Sequence, residues 1–126
     1  MAHSKQLMAD KQICFVGAGS MAEAIIRGLI DTKIMSPEQI CAVNRGNQER
    51  LKQLSDRYGL RIPHSESDKE AMIREAHILM LAMKPKDAAT AIRALSPLCS
   101  EQQLIVSVIA GLSTQTITEW LGKRVP

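Results

Sequence analysis

The chain has 126 residues, of which 45% are hydrophobic, and these values are typical of a single domain with a sizeable core. Its formal net charge is only +3, and aromatic residues make up 2% of the chain. Scattered cations and the near absence of aromatic stacking platforms argue against nucleic-acid binding. We find no signal-peptide pattern at Met1–Lys11 and no apolar stretch of membrane-spanning length, so we expect a cytoplasmic protein without a membrane partner.

The residues that usually carry metal or catalytic chemistry show no useful spacing. Cys14, Cys41 and Cys99 lie in or beside apolar stretches and form no C-x-x-C motif, which predicts buried, reduced thiols. No Ser/His/Asp set, Cys/His set, carboxylate pair or metal cluster can be assembled with credible spacing. We therefore predict no metal site and assign no catalytic residue within this chain.

The predicted elements alternate between extended and helical patterns. Residues 1–10 form a polar leader, and residues 11–126 form one nucleotide-binding domain. The predicted strands and helices are, in chain order, Gln12–Val16, helix Met21–Thr32, Gln39–Val43, helix Gln48–Tyr58, a weak strand Leu60–Ile62, helix Ser67–Glu75, His77–Met83, helix Lys86–Leu98, Leu104–Ile109 and helix Thr114–Leu121. The predicted N-caps are Ser20, Asn47 and Ser113, and the predicted C-caps are Gly59 and Gly122.

Strands that alternate with helices indicate crossover units on a parallel sheet. The predicted fold class is therefore α/β, a Rossmann-type doubly wound parallel sheet. The residues of His77–Met83 are almost all apolar, as expected of a central strand covered on both faces. The pattern ends where a sixth strand is expected, which predicts a sheet that is incomplete at its C-terminal end.

A glycine-rich turn directly follows the first predicted strand. Gly17 allows a tight turn, Gly19 leaves no Cβ between the backbone and a bound pyrophosphate, and Ala22 lets the next helix pack close to the sheet. The unpaired N–H groups at the start of that helix would face the phosphates. A G-x-G-x-x-A string also occurs in plain tight turns, but a strand before it and a helix after it favour dinucleotide binding.

The end of the second predicted strand carries Asn44 and Arg45 and no acidic residue. An acid at this position binds the ribose 2′-hydroxyl of NAD, whereas a cation accommodates the 2′-phosphate of NADP. The Asn44 amide can donate a hydrogen bond and the planar Arg45 guanidinium suits a phosphate, which favours NADPH over NADH. The alternative is an ordinary solvated turn. The missing acid also argues against an S-adenosylmethionine-dependent methyltransferase.

The ends of the last two predicted strands should lie beside the nicotinamide half of the cofactor. Ligands of open parallel sheets bind beyond the carboxyl ends of the strands. Lys84 has two interpretations: it attracts a phosphate or an acidic substrate, or it is a solvated lysine before a helix that begins with proline. The two strand ends read Ala82-Met83-Lys84-Pro85 and Val108-Ile109-Ala110-Gly111.

Four segments together make the chain resemble a known family. They are the glycine loop, the Asn44-Arg45 turn, the sequence LAMKP at Leu81–Pro85 and the sequence VSVIAGLS at Val106–Ser113. With these segments, the chain resembles the N-terminal domain of pyrroline-5-carboxylate reductases from about Lys11 to Pro126. It departs from the common family pattern at Met83, where Val is frequent, and at Ile109, where Ala is frequent.

The resemblance implies NAD(P)H-dependent reduction of 1-pyrroline-5-carboxylate to L-proline, the last step of proline biosynthesis. In that family a further, all-helical domain forms the homo-oligomer and holds the substrate. No such segment is present in the 126 residues, so we expect the chain on its own to be inert. The resemblance assigns cofactor contacts to Val16, Gly17, Ala18, Gly19, Ser20, Met21, Asn44, Arg45, Ala82, Met83, Lys84, Pro85, Val108, Ile109 and Ala110.

Two other functions stay open on the sequence. One is a reductase-like protein that keeps the nucleotide site as a regulatory or binding module without catalysis. The other is a related reductase that acts on a different imine or on a keto acid. The residues of this chain do not discriminate among the three, because the family's catalytic groups belong to the other domain.

Overall fold

The computed structural model describes residues 10–122 of the chain. Over these residues a four-stranded parallel sheet has the order β2-β1-β3-β4. The strands are β1 (Ile13–Val16), β2 (Ile40–Val43), β3 (Ile78–Leu81) and β4 (Leu104–Ser107). The α-helices are α1 (Ser20–Asp31), α2 (Gln48–Tyr58), α3 (Glu66–Glu75), α4 (Ala88–Leu95) and α5 (Thr114–Leu121), and short 3₁₀ turns occupy Pro37–Gln39 and Pro85–Asp87.

Helices cover both faces of the sheet, as a doubly wound fold requires. On one face, Phe15 of β1 packs with Ile26 of α1 and Leu54 of α2 in a buried apolar cluster. On the other face, Val16 of β1 belongs to a second cluster with Ile92 of α4 and residues of α3 and α5. The period-2 alternation of β1 places its successive side chains in opposite clusters. The predicted Rossmann-type α/β fold is confirmed.

The prediction of a weak third strand at Leu60–Ile62 is wrong. Only Arg61 pairs with β2, through an isolated parallel bridge to Cys41. The Ala42 N–H donates to the Arg61 carbonyl at 3.1 Å, and the Arg61 N–H donates to the Ile40 carbonyl at 3.0 Å. Pro63 has no N–H to offer the next β2 carbonyl, so the ladder stops after one residue. The segment still occupies the sheet position expected of a third strand, outside β2.

The cap predictions hold at four helix ends and fail at one. Asn47 and Ser113 accept from backbone N–H groups at the starts of α2 and α5, and Gly59 and Gly122 end the same helices with left-handed conformations. Ser20 is not an N-cap: it is the first residue of α1, the N-cap is Gly19, and no side chain caps this end. The amino terminus of α1 therefore keeps backbone N–H groups without a side-chain acceptor.

Several predicted elements are shorter in the structure. The strand predicted at His77–Met83 spans Ile78–Leu81, and its side chains alternate between buried and half-buried, so it is not fully covered on both faces as predicted. The strand predicted at Leu104–Ile109 ends at Ser107. The helix predicted at Lys86–Leu98 begins after the Pro85–Asp87 turn and ends at Leu95, because Pro97 cannot donate a helical hydrogen bond.

Cys14, Cys41 and Cys99 are buried thiols, as predicted. Cys14 and Cys41 are register partners in β1 and β2. A hydrogen bond with the Cys41 thiol and burial raise the pKa of Cys14 well above its usual value, so Cys14 stays protonated near neutral pH. No helix within residues 10–122 has the length and apolar character needed to cross a membrane.

Candidate nucleotide-binding site

The carboxyl ends of the parallel strands lie along one edge of the sheet. The strand order changes direction between β1 and β3, because β2 is added on one side of β1 and β3 on the other. From β1 the chain runs outward to β2, then crosses back to place β3 on the other side of β1. Hydrogen bonds continue past the strand ends here: Gly17 N–H donates to the Val43 carbonyl and Ala82 N–H to the Val16 carbonyl, each at 2.9 Å. Such a switch point is where open α/β sheets bind ligands.

Gly17 is required by a contact across this switch point as well as by its own turn. Its φ is +111°, a value that side-chain-bearing residues rarely adopt. A Cβ at Gly17 would lie 2.6 Å from both the Ala82 carbonyl carbon and the Met83 nitrogen. The backbone after β1 and the backbone after β3 therefore approach each other as closely as they do only because position 17 has no side chain.

Gly19, unlike Gly17, has no close neighbour on the side where a Cβ would lie. A Cβ built there would meet no atom within 4 Å, so the space next to its backbone is open. Gly19 is the N-cap of α1 and its own carbonyl accepts the first intrahelical bond, from the Glu23 N–H at 3.0 Å. Open space beside uncapped N–H groups at a helix amino terminus is the geometry that binds phosphate groups.

A cleft with a volume of about 990 Å³ opens at this edge of the sheet. That volume is at the upper end of the ~300–1,000 Å³ common for ligand and cofactor pockets. Part of its wall consists of residues predicted from the sequence as cofactor contacts. They are Val16, Gly17, Ala18, Gly19, Asn44, Arg45, Ala82, Met83 and Lys84.

The remaining predicted contacts do not line the cleft. Ser20 and Met21 form the exposed first turn of α1, with Met21 56% exposed. Pro85 begins the turn before α4. The other three follow β4, one strand beyond the cleft; they are Val108, which is 36% exposed, Ile109, which is buried, and Ala110, which is exposed. The structure thus brings together the ends of β1, β2 and β3 but does not add the end of β4.

The wall of the cleft is more cationic than acidic, which favours an anionic ligand. Arg45 follows the end of β2 and Lys84 follows the end of β3, and both side chains are exposed. The cations that line the cleft are Arg45, Arg50, Lys69, Arg74, Lys84 and Lys86, and the acids are Glu66, Glu70 and Asp87. A smaller cavity of about 580 Å³ adjoins the cleft at Asn44 and Arg45, and its lining adds one cation, Lys52, and one acid, Asp56.

Asn44 uses its amide differently from the sequence prediction. Its Nδ2 donates to the Asn47 carbonyl at 2.9 Å, which supports the turn into α2. Its Oδ1 is buried and has no hydrogen-bond partner within the described part of the chain. A buried acceptor without a partner is costly unless a ligand supplies the donor. The group that Asn44 leaves for a ligand is therefore an acceptor, suited to a ribose hydroxyl.

A carboxylate cluster ties α1 to α2 behind the glycine loop; we define it as Glu23, Arg50, Arg57 and Tyr58. Glu23 Oε1 accepts from Arg50 Nη2 at 2.7 Å, and Oε2 accepts from the Tyr58 hydroxyl at 2.6 Å and from Arg57 Nη1. These hydrogen bonds, from Tyr58 first and then from the two arginines, lower the pKa of Glu23 from 4.5 to about 2. Glu23 is thus an anion fully engaged with its partners.

The helices α3 and α4 contribute a wall that the sequence analysis did not assign to the site. From α3 the cleft is lined by Glu66, Lys69, Glu70 and Arg74. From the α4 side it is lined by Asp87, Thr90, Ala91, Ala94, Leu95, Pro97 and Leu98. The sequence carried no local signal for this wall, since α3 reads as an ordinary polar helix. Arg50 was missed too, although Glu23 lies in the first turn of the helix predicted to bind phosphate, and an acid there signals that a neutralising cation is needed.

Comparisons with known proteins agree with this geometry. The family model described as NADP oxidoreductase coenzyme F420-dependent matches residues 12–111. Pyrroline-5-carboxylate reductase 2 of Bacillus subtilis is 44% identical over 114 residues, which cover 90% of this chain and 40% of that protein. This chain therefore spans about 40% of the length of that relative.

Two solved structures show the same architecture. A pyrroline-5-carboxylate reductase from Coxiella burnetii superimposes with a TM-score of 0.79 at 30% identity, covering 90% of this chain and 40% of that one. The pyrroline carboxylate reductase of Plasmodium falciparum, solved with NADP bound, gives a TM-score of 0.69 at 22% identity, covering 89% of this chain and 38% of that one. The resemblance inferred from the four sequence segments is confirmed. The chain belongs to the family described as NADP oxidoreductase coenzyme F420-dependent, as an NAD(P)-binding oxidoreductase domain similar to pyrroline-5-carboxylate reductases.

Proposed function

We propose that this chain is the cofactor-binding domain of a pyrroline-5-carboxylate reductase and that its cleft holds NADPH in preference to NADH. The observation that carries the proposal is the uncapped amino terminus of α1, which opens at Gly19 into a cationic cleft at the sheet's switch point. The naming of similar proteins as pyrroline-5-carboxylate reductases supports the choice of reaction. The NADP in the Plasmodium falciparum relative supports the choice of cofactor.

The residues of the cleft fit the parts of a dinucleotide. The N–H groups from Gly19 onward take the pyrophosphate, and the Asn44 Oδ1 accepts a hydrogen bond from a ribose hydroxyl. Arg45 is exposed beside Asn44 and pairs with the 2′-phosphate that distinguishes NADPH from NADH. The preference follows because an arginine gains a charged partner in NADPH and a neutral hydroxyl in NADH.

The nicotinamide end is proposed to lie toward the end of β3. There, Ala82, Met83 and Lys84 form the wall opposite the glycine loop. The segment after β4, with Val108, Ile109 and Ala110, borders this end in the proposal, together with Pro85, whereas Ser20 and Met21 lie on the phosphate side. When bound, the dihydronicotinamide supplies a hydride to the C=N carbon of 1-pyrroline-5-carboxylate.

Calorimetric titration of the 126-residue chain with NADPH and NADH tests the cofactor assignment. Wild type should bind NADPH more tightly, and Arg45→Ala should weaken NADPH binding by about tenfold while changing NADH binding by less than about twofold. Arg27→Ala, an exposed cation on α1 away from the cleft, is the matched control and should leave both affinities unchanged. Equal affinities of the wild-type chain for both cofactors would contradict the proposed preference.

The reaction is tested in the natural protein that carries this sequence. Addition of NADPH and 1-pyrroline-5-carboxylate should consume nicotinamide absorbance and yield L-proline. The proposal includes a cytoplasmic location and assembly into a homo-oligomer, which fractionation and sedimentation of that protein would check. Tight NADPH binding without turnover would instead identify a regulatory or binding module, and turnover with another imine or a keto acid would reassign the substrate.

A further inference from the structure

Arg50 lies in the wall of the cleft, but its guanidinium is directed at protein acceptors. Its Nε donates to the Ala18 carbonyl at 2.6 Å, and its Nη2 donates to Glu23 at 2.7 Å and, over 3.4 Å, to the Gly19 carbonyl. Its Nη1 lies 3.4 Å from Gln53 Oε1. An arginine with most of its N–H donors used in this way is not available as a direct phosphate ligand.

The two carbonyls that Arg50 contacts belong to the peptide units that supply the first N–H groups of the phosphate site. In a planar trans peptide, the N–H points opposite to the C=O. When the Ala18 carbonyl faces Arg50, the Gly19 N–H faces away from α2, and the same relation links the Gly19 carbonyl to the Ser20 N–H. Because the Gly19 carbonyl is already held by the Glu23 N–H at 3.0 Å, the orientation that depends on Arg50 is that of the Gly19 N–H, before any ligand arrives.

We propose that Arg50 is a positioning residue for the phosphate-binding loop, which holds the Ala18 carbonyl toward α2 so that the Gly19 N–H faces the cofactor's pyrophosphate. The same guanidinium neutralises Glu23, an anion in the first turn of α1 that would otherwise oppose a phosphate. Only the planar fork of arginine can reach both a carboxylate and neighbouring carbonyls along one edge. This inference rests on the proposed nucleotide function of the cleft.

Arg57 provides a matched control within the same cluster. It also pairs with Glu23, but its side chain is 55% exposed and makes no hydrogen bond to the glycine loop in the described structure. Arg50→Lys and Arg57→Lys each keep the positive charge and remove the fork. A role in ion pairing alone predicts similar effects from both, whereas a role in loop positioning predicts an effect from Arg50→Lys only.

The experiment compares two ligands that separate the pyrophosphate from the 2′-phosphate. Calorimetry with the 126-residue chain uses 2′-phospho-ADP-ribose, which carries both groups, and 2′-AMP, which carries only the 2′-phosphate. Arg50→Lys should weaken binding of 2′-phospho-ADP-ribose about tenfold and leave 2′-AMP within about twofold of wild type. Arg57→Lys should leave both affinities within about twofold.

Unchanged binding of 2′-phospho-ADP-ribose by Arg50→Lys would overturn the inference, and so would an equal loss for both ligands, since that indicates general loss of structure. If Arg50→Lys does not fold, Arg50→Met decides: it keeps the aliphatic part of the side chain, removes every donor to the Ala18 carbonyl, and should weaken 2′-phospho-ADP-ribose about tenfold and 2′-AMP not at all. No change for Arg50→Met would then overturn the inference. Failure of the wild-type chain to bind either ligand would instead overturn the proposed function, and this inference with it.

Discussion

The two halves of the sheet differ in how completely they are buried. In the first half, which consists of β1 and β2 with α1 and α2, every strand residue is buried. In the second half, which consists of β3 and β4 with α4 and α5, β3 alternates buried and half-buried residues and β4 has no buried residue. The end of the cleft at the glycine loop therefore rests on a closed core, whereas the end at β3 belongs to a half that leaves Leu104 and Val108 exposed.

The contact between the halves should produce the largest effect. Gly17→Ala would force a Cβ to within 2.6 Å of the backbone after β3, at a φ of +111°. We expect this variant to lose about 4 kcal/mol of unfolding free energy, measured in urea, and to lose NADPH binding. The control is Gly28→Ala in α1, where a Cβ meets nothing within 4 Å and should stabilise the helix by about 0.5–1 kcal/mol. Equal effects of the two substitutions would contradict a closed contact between the halves.

A matched pair of leucines tests the difference in burial directly. Leu54 of α2 is 0% exposed in the core of the first half, and Leu104 of β4 is 44% exposed. Leu54→Ala should cost about 3 kcal/mol in urea unfolding, from lost transfer energy and the cavity left behind. Leu104→Ala should cost less than about 0.5 kcal/mol. A cost for Leu104→Ala as large as that for Leu54→Ala would show that the second half is closed in solution.

Loss of a helix cap should have a smaller effect on stability. Here the helix with a side-chain cap belongs to the second half, and the helix without one belongs to the first half. In α5, Ser113 Oγ accepts from the Thr116 N–H at 3.1 Å, whereas Ser20 at the start of α1 makes no cap. Ser113→Ala should cost about 1 kcal/mol, and Ser20→Ala should be nearly neutral in the same unfolding assay. A loss at Ser20 comparable to that at Ser113 would indicate that α1 is capped after all and that its N–H groups are not free for a ligand.

The smallest effect concerns the carboxylate cluster in the first half. Because folding lowers the pKa of Glu23 from 4.5 to about 2, its contribution to stability is complete above pH 4.5 and is lost as the pH falls toward 2. The difference in melting temperature between wild type and Glu23→Gln should therefore shrink across this interval. A difference that stays constant with pH would show that the carboxylate is not selectively stabilised in the folded state.

Features whose signals lie within a few consecutive residues could be predicted from the sequence. The caps at Asn47 and Ser113 and the left-handed C-caps at Gly59 and Gly122 each depend on a few consecutive residues. The strand at Ile13–Val16 and the glycine loop that leads into α1 were predicted from contiguous residues in the same way. Ser20 was misassigned because a serine before a helix usually caps it, and nothing local shows that α1 begins one residue earlier, with Gly19 as its N-cap and without a side-chain cap.

Features that depend on contacts between residues far apart in the sequence could not be predicted from local patterns. The pairing of Arg61 with β2 ended after one residue because of Pro63, and a three-residue apolar run does not show where a ladder stops. Gln103, a buried polar residue, donates to the carbonyls of Ile73 and Ala76 at the end of α3, 27 or more residues earlier in the chain. Such partners are chosen by packing, so no sequence period predicts them.

Gly17 and Arg50 show which features of the glycine loop are local and which depend on contacts with distant parts of the chain. The sequence by itself determined that a glycine-rich turn joins a buried strand to a helix, because the strand, the glycines and the helix are contiguous. Only the tertiary structure decided that Gly17 must admit the backbone at Ala82 and that Arg50 holds the Ala18 carbonyl across 32 residues of sequence. Local backbone preferences act over a few residues, whereas these contacts exist only once the sheet has brought separate strand ends to one edge.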